Sequence, residues 1–248
     1  MSQTESRVAR YRAVRASVLE RIATACARAG RDPDGVRLIA VSKTVPSDAL
    51  RDAVAAGLDQ LGENRVQEGL AKAPEVPGAH WHLIGPLQSN KARRALEVFD
   101  SIETVDSFDL ARRLDRLVPE VRPQTGSDAR YPVLVQVNVD LDPAKAGFAP
   151  AEIPVVIGEL LALPHLAVRG LMTVGRLTDD PAASRRTFSG LRELSERSRA
   201  DWPALGPELS MGMSDDFELA VEEGATIVRV GRALFGERDV RHEKDPGR

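Results

Sequence analysis

Apolar residues fall in short, regularly spaced blocks along this chain, and the spacing alternates between two kinds. Val8, Tyr11, Val14, Val18, Ile22, Ala25 and Ala29 recur at steps of three and four, which predicts an amphipathic helix over residues 4–29 ended by Gly30. After the Asp32-Pro33-Asp34-Gly35 turn the pattern changes to a continuous apolar run at 37–42, the signature of a strand buried on both faces. A helix over 47–56, stopped at Gly57, follows. From there the two kinds alternate to the end. Strands are predicted at 58–62, 81–84, 99–104, 132–138, 166–172, 208–211 and 226–230. Helices are predicted at 64–73, 89–97, 107–117, 150–162, 181–199 and 214–223, with a last helical turn to Phe235. Residues 119–131 are rich in Pro, Gly and polar residues and read as a loop.

Eight strands alternating with helices, after one extra N-terminal helix, predict right-handed crossovers and a parallel sheet. Eight units in about 235 residues favour a closed (β/α)8 TIM-type barrel over an open doubly wound sheet. The loop at 119–131 joins a helix to a strand, so residues 1–238 are expected to form a single domain, with a loose charged tail at 239–248.

Composition narrows the function classes. The 248 residues are 42% hydrophobic and 29% charged with a net charge of -3, which offers nucleic acid or an anionic membrane no electrostatic footing. No apolar run reaches the length of a bilayer span and no leader pattern opens the chain, so a cytoplasmic protein is expected. The single cysteine, Cys26, lies among alanines on a helix and reads as packing. His80 and His82 share a strand face without the partners a metal needs.

In a barrel, chemistry gathers at the carboxyl ends of the strands. Those ends carry Lys43, Gly62-Glu63-Asn64, His82 to Gly85, Thr104 to Asp106, Asn138, Met172-Thr173, Ser210-Met211-Gly212 and Arg229-Val230-Gly231. Only five lysines exist, at 43, 72, 91, 145 and 244. Taken alone, Lys43 is more simply a solvated lysine at a strand end; desolvated, it is an amine nucleophile toward aldehydes. Lys91 and Lys145 lie beyond strand ends. The glycine-bearing loops after strands seven and eight suit an anion such as phosphate, with Ser214 capping the following helix as the ordinary alternative and Asp215-Asp216 opposing an anion unless turned away. Arg229, charged within an apolar strand, requires an acceptor from a carboxylate or a ligand.

The segments AVSKT (40–44), GENRVQE (62–68), WHLIGPLQSNK (81–91), LVQVN (134–138), RGLM (169–172), SMGMSDDFE (210–218) and VRVGRALFGER (228–238) resemble, in order and spacing, the pyridoxal phosphate homeostasis proteins. The resemblance covers essentially the whole chain. It implies an alanine-racemase-like barrel that binds pyridoxal 5'-phosphate (PLP), with Lys43 as the Schiff-base residue and Asn64 near the cofactor ring. It further implies that Ser210, Gly231 and Arg232 hold the phosphate while Arg229 faces the pyridine nitrogen. Many relatives carry Thr or Ser where this chain has Arg232, so a hydroxyl contact is replaced there by a backbone N–H or a guanidinium.

An arginine donates to the ring nitrogen without letting it hold its own proton, which makes a poor electron sink for carbanion chemistry. Together with the resemblance, this implies a carrier that holds PLP and supplies it to apo-enzymes, without turnover, and a monomer is expected. The alternatives are a PLP-dependent racemase or decarboxylase and, without the resemblance, a lysine-dependent aldolase. A racemase would need a second acid/base, typically a tyrosine from a further domain; this chain has Tyr11, in the first helix, and Tyr131, in the loop before strand five, and neither is expected near the site.

Overall fold

The computed structural model describes residues 3–123, 130–176 and 178–236. Its framework is a closed barrel of eight parallel strands in sequence order: β1 Arg37–Val41, β2 Gln60–Glu63, β3 His80–Leu83, β4 Ser101–Val105, β5 Tyr131–Gln136, β6 Leu166–Met172, β7 Glu208–Ser210 and β8 Ile227–Val230. Closure comes from β1 pairing with β8, Ile39 opposite Arg229 and Ala40 opposite Val230. The expected (β/α)8 barrel is the observed fold.

Helices α1 Gln3–Arg28, α2 Ser47–Ala55, α3 Val66–Lys72, α4 Ala92–Val98, α5 Phe108–Val121, α6 Ile153–Leu161, α7 Pro181–Asp201, α8 Phe217–Glu222 and α9 Arg232–Phe235 accompany the strands. The extra helix α1 lies across the closing seam. Its buried Tyr11, Val18, Ile22, Ala25 and Cys26 face the core, and Arg21 and Arg28 pair with Glu218 and Glu222 of α8.

Most boundaries differ from expectation by a few residues, and two of the shifts have a visible cause. Helix α5 runs through Pro119 to Val121, where a loop was predicted. Pro119 removes one N–H near the helix end, while buried Val118 and the bond from Arg122 N–H to the Val118 carbonyl keep the last turn closed. Strand β7 is followed by a turn at 213–216, so α8 begins at Phe217 instead of Ser214. The tail assigned from residue 239 lies outside the described residues.

Side chains alternate across each strand, and this parity sorts the residues. Most of the apolar core lies between the strands and the helices. Inside the barrel a small cluster of Ile39, Leu134, Met172 and Ile227 is joined by the polar His82, Glu103, Ser210 and Arg229, all buried. A glycine is required at one crowded point. Gly170 of β6 holds φ +153, and a Cβ there would lie 1.9 Å from the Glu208 carbonyl oxygen on β7.

Candidate functional site

Lys43 follows β1 by two residues on the inward parity shared by Ile39 and Val41. It sits in a tight turn closed by the bond from Val45 N–H to the Ser42 carbonyl, 3.0 Å. It lines a cavity of about 220 Å³ between the β1–α2 and β8–α9 loops, together with Val41, Thr44, Gly231 and Arg232. Tyr11 of α1 also lines it, edge-on to Phe235 at 5.6 Å between ring centroids. That corrects the expectation that neither tyrosine approaches the site; helix docking across the seam, invisible to local pattern, brings Tyr11 in. Tyr131 opens β5 at the far end of the barrel and donates to the Phe99 carbonyl, 2.8 Å.

Gly231 and Arg232 begin α9, where first-turn N–H groups have no carbonyl within the helix to reach. The Gly231 N–H donates to the Ser214 hydroxyl oxygen, 3.2 Å. Ser214 therefore joins this cup and does not cap α8, and its own O–H proton stays available to an acceptor. A Cβ on Gly231 would crowd Val41 at 3.3 Å, so the small residue keeps the β8 turn against β1. The Arg232 guanidinium pairs with Asp215 at the exposed rim, and its backbone N–H, at the first position of α9, has no carbonyl within the helix to reach. Asp216 turns back on its own loop and accepts from Met213 N–H, 2.6 Å, which answers the concern that the two aspartates would repel an anion. Ser214 was singled out in sequence only as a cap; its place beside two glycine-bearing loops was the available signal.

Ser210 stands elsewhere. Its hydroxyl is fully buried inside the barrel, donates to Glu103 Oε2 at 2.6 Å and accepts from Arg229 Nη1 at 2.5 Å. Arg229 Nη2 donates to the Thr173 carbonyl, 2.8 Å. Burial pushes the Arg229 pKa down and the Glu103 pKa up, and each charge opposes the shift of the other. The hydroxyl thus bridges a buried cation and a buried carboxylate, and Arg229 keeps further N–H donors. The acceptor that Arg229 required is met by a serine and a carbonyl, with Glu103 one bond beyond.

Asn64 follows β2, and its backbone presses on Gly85, where a Cβ would lie 2.3 Å from the Asn64 carbonyl oxygen. No described residue hydrogen-bonds the Asn64 amide side chain. Asn138, at the end of β5, instead staples its own loop by donating to the Asp142 and Lys145 carbonyls at 2.8 and 3.1 Å.

His82 belongs to the opposite mouth. It lines a separate cavity of about 400 Å³ with Arg37, Gln60, Ser101 and Glu103 at the amino ends of the strands. Its Nδ1 is 2.7 Å from Ser101 Oγ and its Nε2 3.0 Å from Gln60 Oε1, an arrangement suited to the neutral ring. Burial, helped by Arg37 and His80, lowers its pKa to about 4.

The lysines are equally sorted. Lys72 donates to three acceptors: the Ser42 carbonyl at 2.9 Å, Glu63 Oε1 at 2.7 Å and Glu68 Oε2 at 3.1 Å. Lys145 is tied to the Val174 carbonyl at 3.0 Å and to that of Gly175. Lys91 lies on the outer side by α3 and α4, in a groove with Val66, Leu70 and Arg94. Among the described residues, Lys43 is the lysine set beside the Gly231–Arg232 cup.

A sequence model of the alanine racemase N-terminal domain matches residues 16–239. The chain is 45% identical over 226 residues to the pyridoxal phosphate homeostasis protein of Pseudomonas aeruginosa, covering 90% of this chain and 94% of that one. The structure of PipY from Synechococcus elongatus with PLP bound superposes with a TM-score of 0.75 at 43% identity, covering 88% of this chain and all of PipY. Alanine racemase from Corynebacterium glutamicum shares the fold at 19% identity, with a TM-score of 0.69 over 96% of this chain and 63% of the racemase.

Proposed function

The chain belongs to the pyridoxal phosphate homeostasis proteins, and from that premise we propose that it binds PLP, holds it covalently on Lys43 and releases it to apo-enzymes. The observation that carries this reading is a single cavity shared by an amine and an anion cup: Lys43 with the Gly231 and Arg232 backbone and, through Gly231, the Ser214 hydroxyl. When bound, the cofactor supplies an aldehyde for an amine and a phosphate for N–H and O–H donors. The donor set fits both ends. Lys43 would hold the carbonyl carbon, the Gly231–Arg232 turn and Ser214 would hold the phosphate, and Asn64 would contact the ring.

Arg229 would donate toward the ring nitrogen, and Glu103, reached through the Ser210 hydroxyl, favours its charged form. A permanently protonated donor leaves that nitrogen without its own proton and weakens carbanion stabilisation. This supports holding over turnover, and the protein is read as a monomeric cytoplasmic carrier. No described helix is long and apolar enough to cross a membrane.

The test joins binding and transfer. PLP added to the protein should give visible absorption and, after borohydride reduction, a cofactor fixed on the peptide containing Lys43; Lys43→Ala should lose both. Holo protein should then activate an apo PLP enzyme. Sustained racemisation or decarboxylation of any L-amino acid in a panel would overturn the carrier reading. Such turnover would give the Tyr11 phenol in the Lys43 cavity the acid/base role.

A further inference from the structure

The two peptide planes on either side of Lys43 are both held from outside the turn, and by the same helix. On one side the Ser42 carbonyl accepts from Lys72 Nζ at 2.9 Å. On the other, the Thr44 N–H donates to Glu68 Oε2 at 3.2 Å. Lys72 and Glu68 are one turn apart on α3 and are themselves joined at 3.1 Å, so the link from Ser42 to Thr44 is closed. Beneath it, the Glu63 carboxylate takes Lys72 at 2.7 Å and the Ser42 hydroxyl at 2.8 Å. Glu63 is fully buried and Lys72 nearly so, on the outward parity of β1 and β2 opposite to that of Lys43.

Fixing the carbonyl before a residue and the N–H after it fixes both peptide planes, and hence φ and ψ of the residue between them. The direction of the Lys43 Cα–Cβ bond is then set. Thr44 shows that the turn needs such holding: its φ is +65, a left-handed slot that a β-branched residue rarely takes and that turns usually fill with Gly or Asn. Strained backbone beside a site persists only when its surroundings impose it. The three N–H bonds of Lys72 each have an acceptor, so its nitrogen is committed to the Ser42 carbonyl, Glu63 and Glu68.

We propose that Lys72, acting with Glu68 and seated on Glu63, is a positioning residue that aims Lys43 at the cofactor's aldehyde. The inference rests on the covalent role of Lys43 proposed above. It separates two quantities: total cofactor held, which the phosphate cup supplies, and the fraction attached to Lys43, which the clamp governs.

The experiment compares full-length wild type, Lys72→Met, Glu68→Ala and Glu68→Ala/Thr44→Gly. Equilibrium dialysis gives total PLP bound, and borohydride trapping with peptide mass mapping gives attachment at Lys43 and its rate. Misplacement of a reacting group by about 1 Å is enough for a loss of about a hundredfold, so attachment in Lys72→Met should slow by at least about tenfold while total binding changes by less than about threefold. Glu68→Ala should show a smaller loss. Adding Thr44→Gly should restore part of it, because glycine accepts the left-handed conformation without the clamp. A general packing defect would not be rescued in this way.

Wild-type attachment rates in both Lys72→Met and Glu68→Ala would overturn the clamp. Should Lys72→Met fail to fold, Glu68→Ala and its glycine partner decide the matter by themselves, since Glu68 is partly exposed. If wild type traps no cofactor on Lys43, the proposed function falls and the clamp falls with it. If wild type traps cofactor and the variants do so equally, only the clamp falls.

Discussion

Two serines four residues apart, Ser210 and Ser214, carry opposite predictions for stability and binding. In Ser210→Ala the buried Arg229 keeps the Thr173 carbonyl but loses its hydroxyl acceptor, and Glu103 loses the donor to Oε2. Glu103 Oε1 already has no hydrogen-bond partner, so that carboxylate would be left with none among the described residues. Hydrogen bonds to charged groups are worth about 1.5–3 kcal/mol each, and breaking a buried charge pair costs about 3–5 kcal/mol; one hydroxyl serving both charges should be worth about 3 kcal/mol. With a urea slope of about 2–3 kcal/mol/M, the unfolding midpoint of the apo protein should fall by about 1 M.

Ser214→Ala removes one neutral bond at a partly exposed turn, a loss of about 1 kcal/mol or less. Its effect should appear in binding. The preference for PLP over pyridoxal, which lacks the phosphate, should fall by about tenfold, equivalent to about 1.4 kcal/mol. The assay is urea unfolding of both apo variants, followed by titration of each with PLP and pyridoxal. If Ser210→Ala unfolds at the wild-type urea concentration and loses the preference for PLP, Ser210 is the phosphate ligand and the bridging role is wrong.

Three further outcomes follow from the geometry. His82 has a folded pKa near 4, below its ordinary value of about 6.5, so the stability due to its neutral form is complete above pH 6.5 and is lost as pH falls toward 4. Between pH 7.5 and 4.5 wild type should lose about 2–3 kcal/mol more than His82→Gln, measured by urea unfolding at each pH; parallel losses would refute a buried neutral ring. Arg232→Ala should change neither stability nor the PLP preference by more than about 1 kcal/mol, because the guanidinium is paired with Asp215 at the exposed rim; a tenfold drop in titrated PLP affinity would assign the side chain to the phosphate. Gly170→Ala should cost at least about 3 kcal/mol, because its Cβ would overlap the Glu208 carbonyl on the neighbouring strand. Gly35→Ala, in open space, should keep the wild-type thermal midpoint, and equal midpoints for both glycine variants would argue against the β6–β7 crowding.

The alternation of apolar runs and amphipathic blocks was legible without coordinates, and with it the eight-stranded barrel, the extra helix and the placement of Lys43 just past a strand. Those features depend on local periodicity, which each segment carries in its own residues. The motif segments likewise pointed to one cofactor. Which strand-end residues face one another was not legible. Ser210 and Glu103 are 107 positions apart and meet only because β4 and β7 turn the same parity toward the barrel axis. Ser210 and Ser214 look interchangeable in a glycine-bearing loop, yet the 213–216 turn sends one inside the barrel and the other to the Gly231 amide. No local pattern singles out Lys72; the packing of α3 against β2 places its nitrogen on the Ser42 carbonyl. A strand's period of two tells which residues share a face; closure of the barrel and docking of the helices decide what that face meets. In this protein the place of Lys43 just past β1 follows from the first, and the groups that hold its backbone and bridge Arg229 to Glu103 follow from the second.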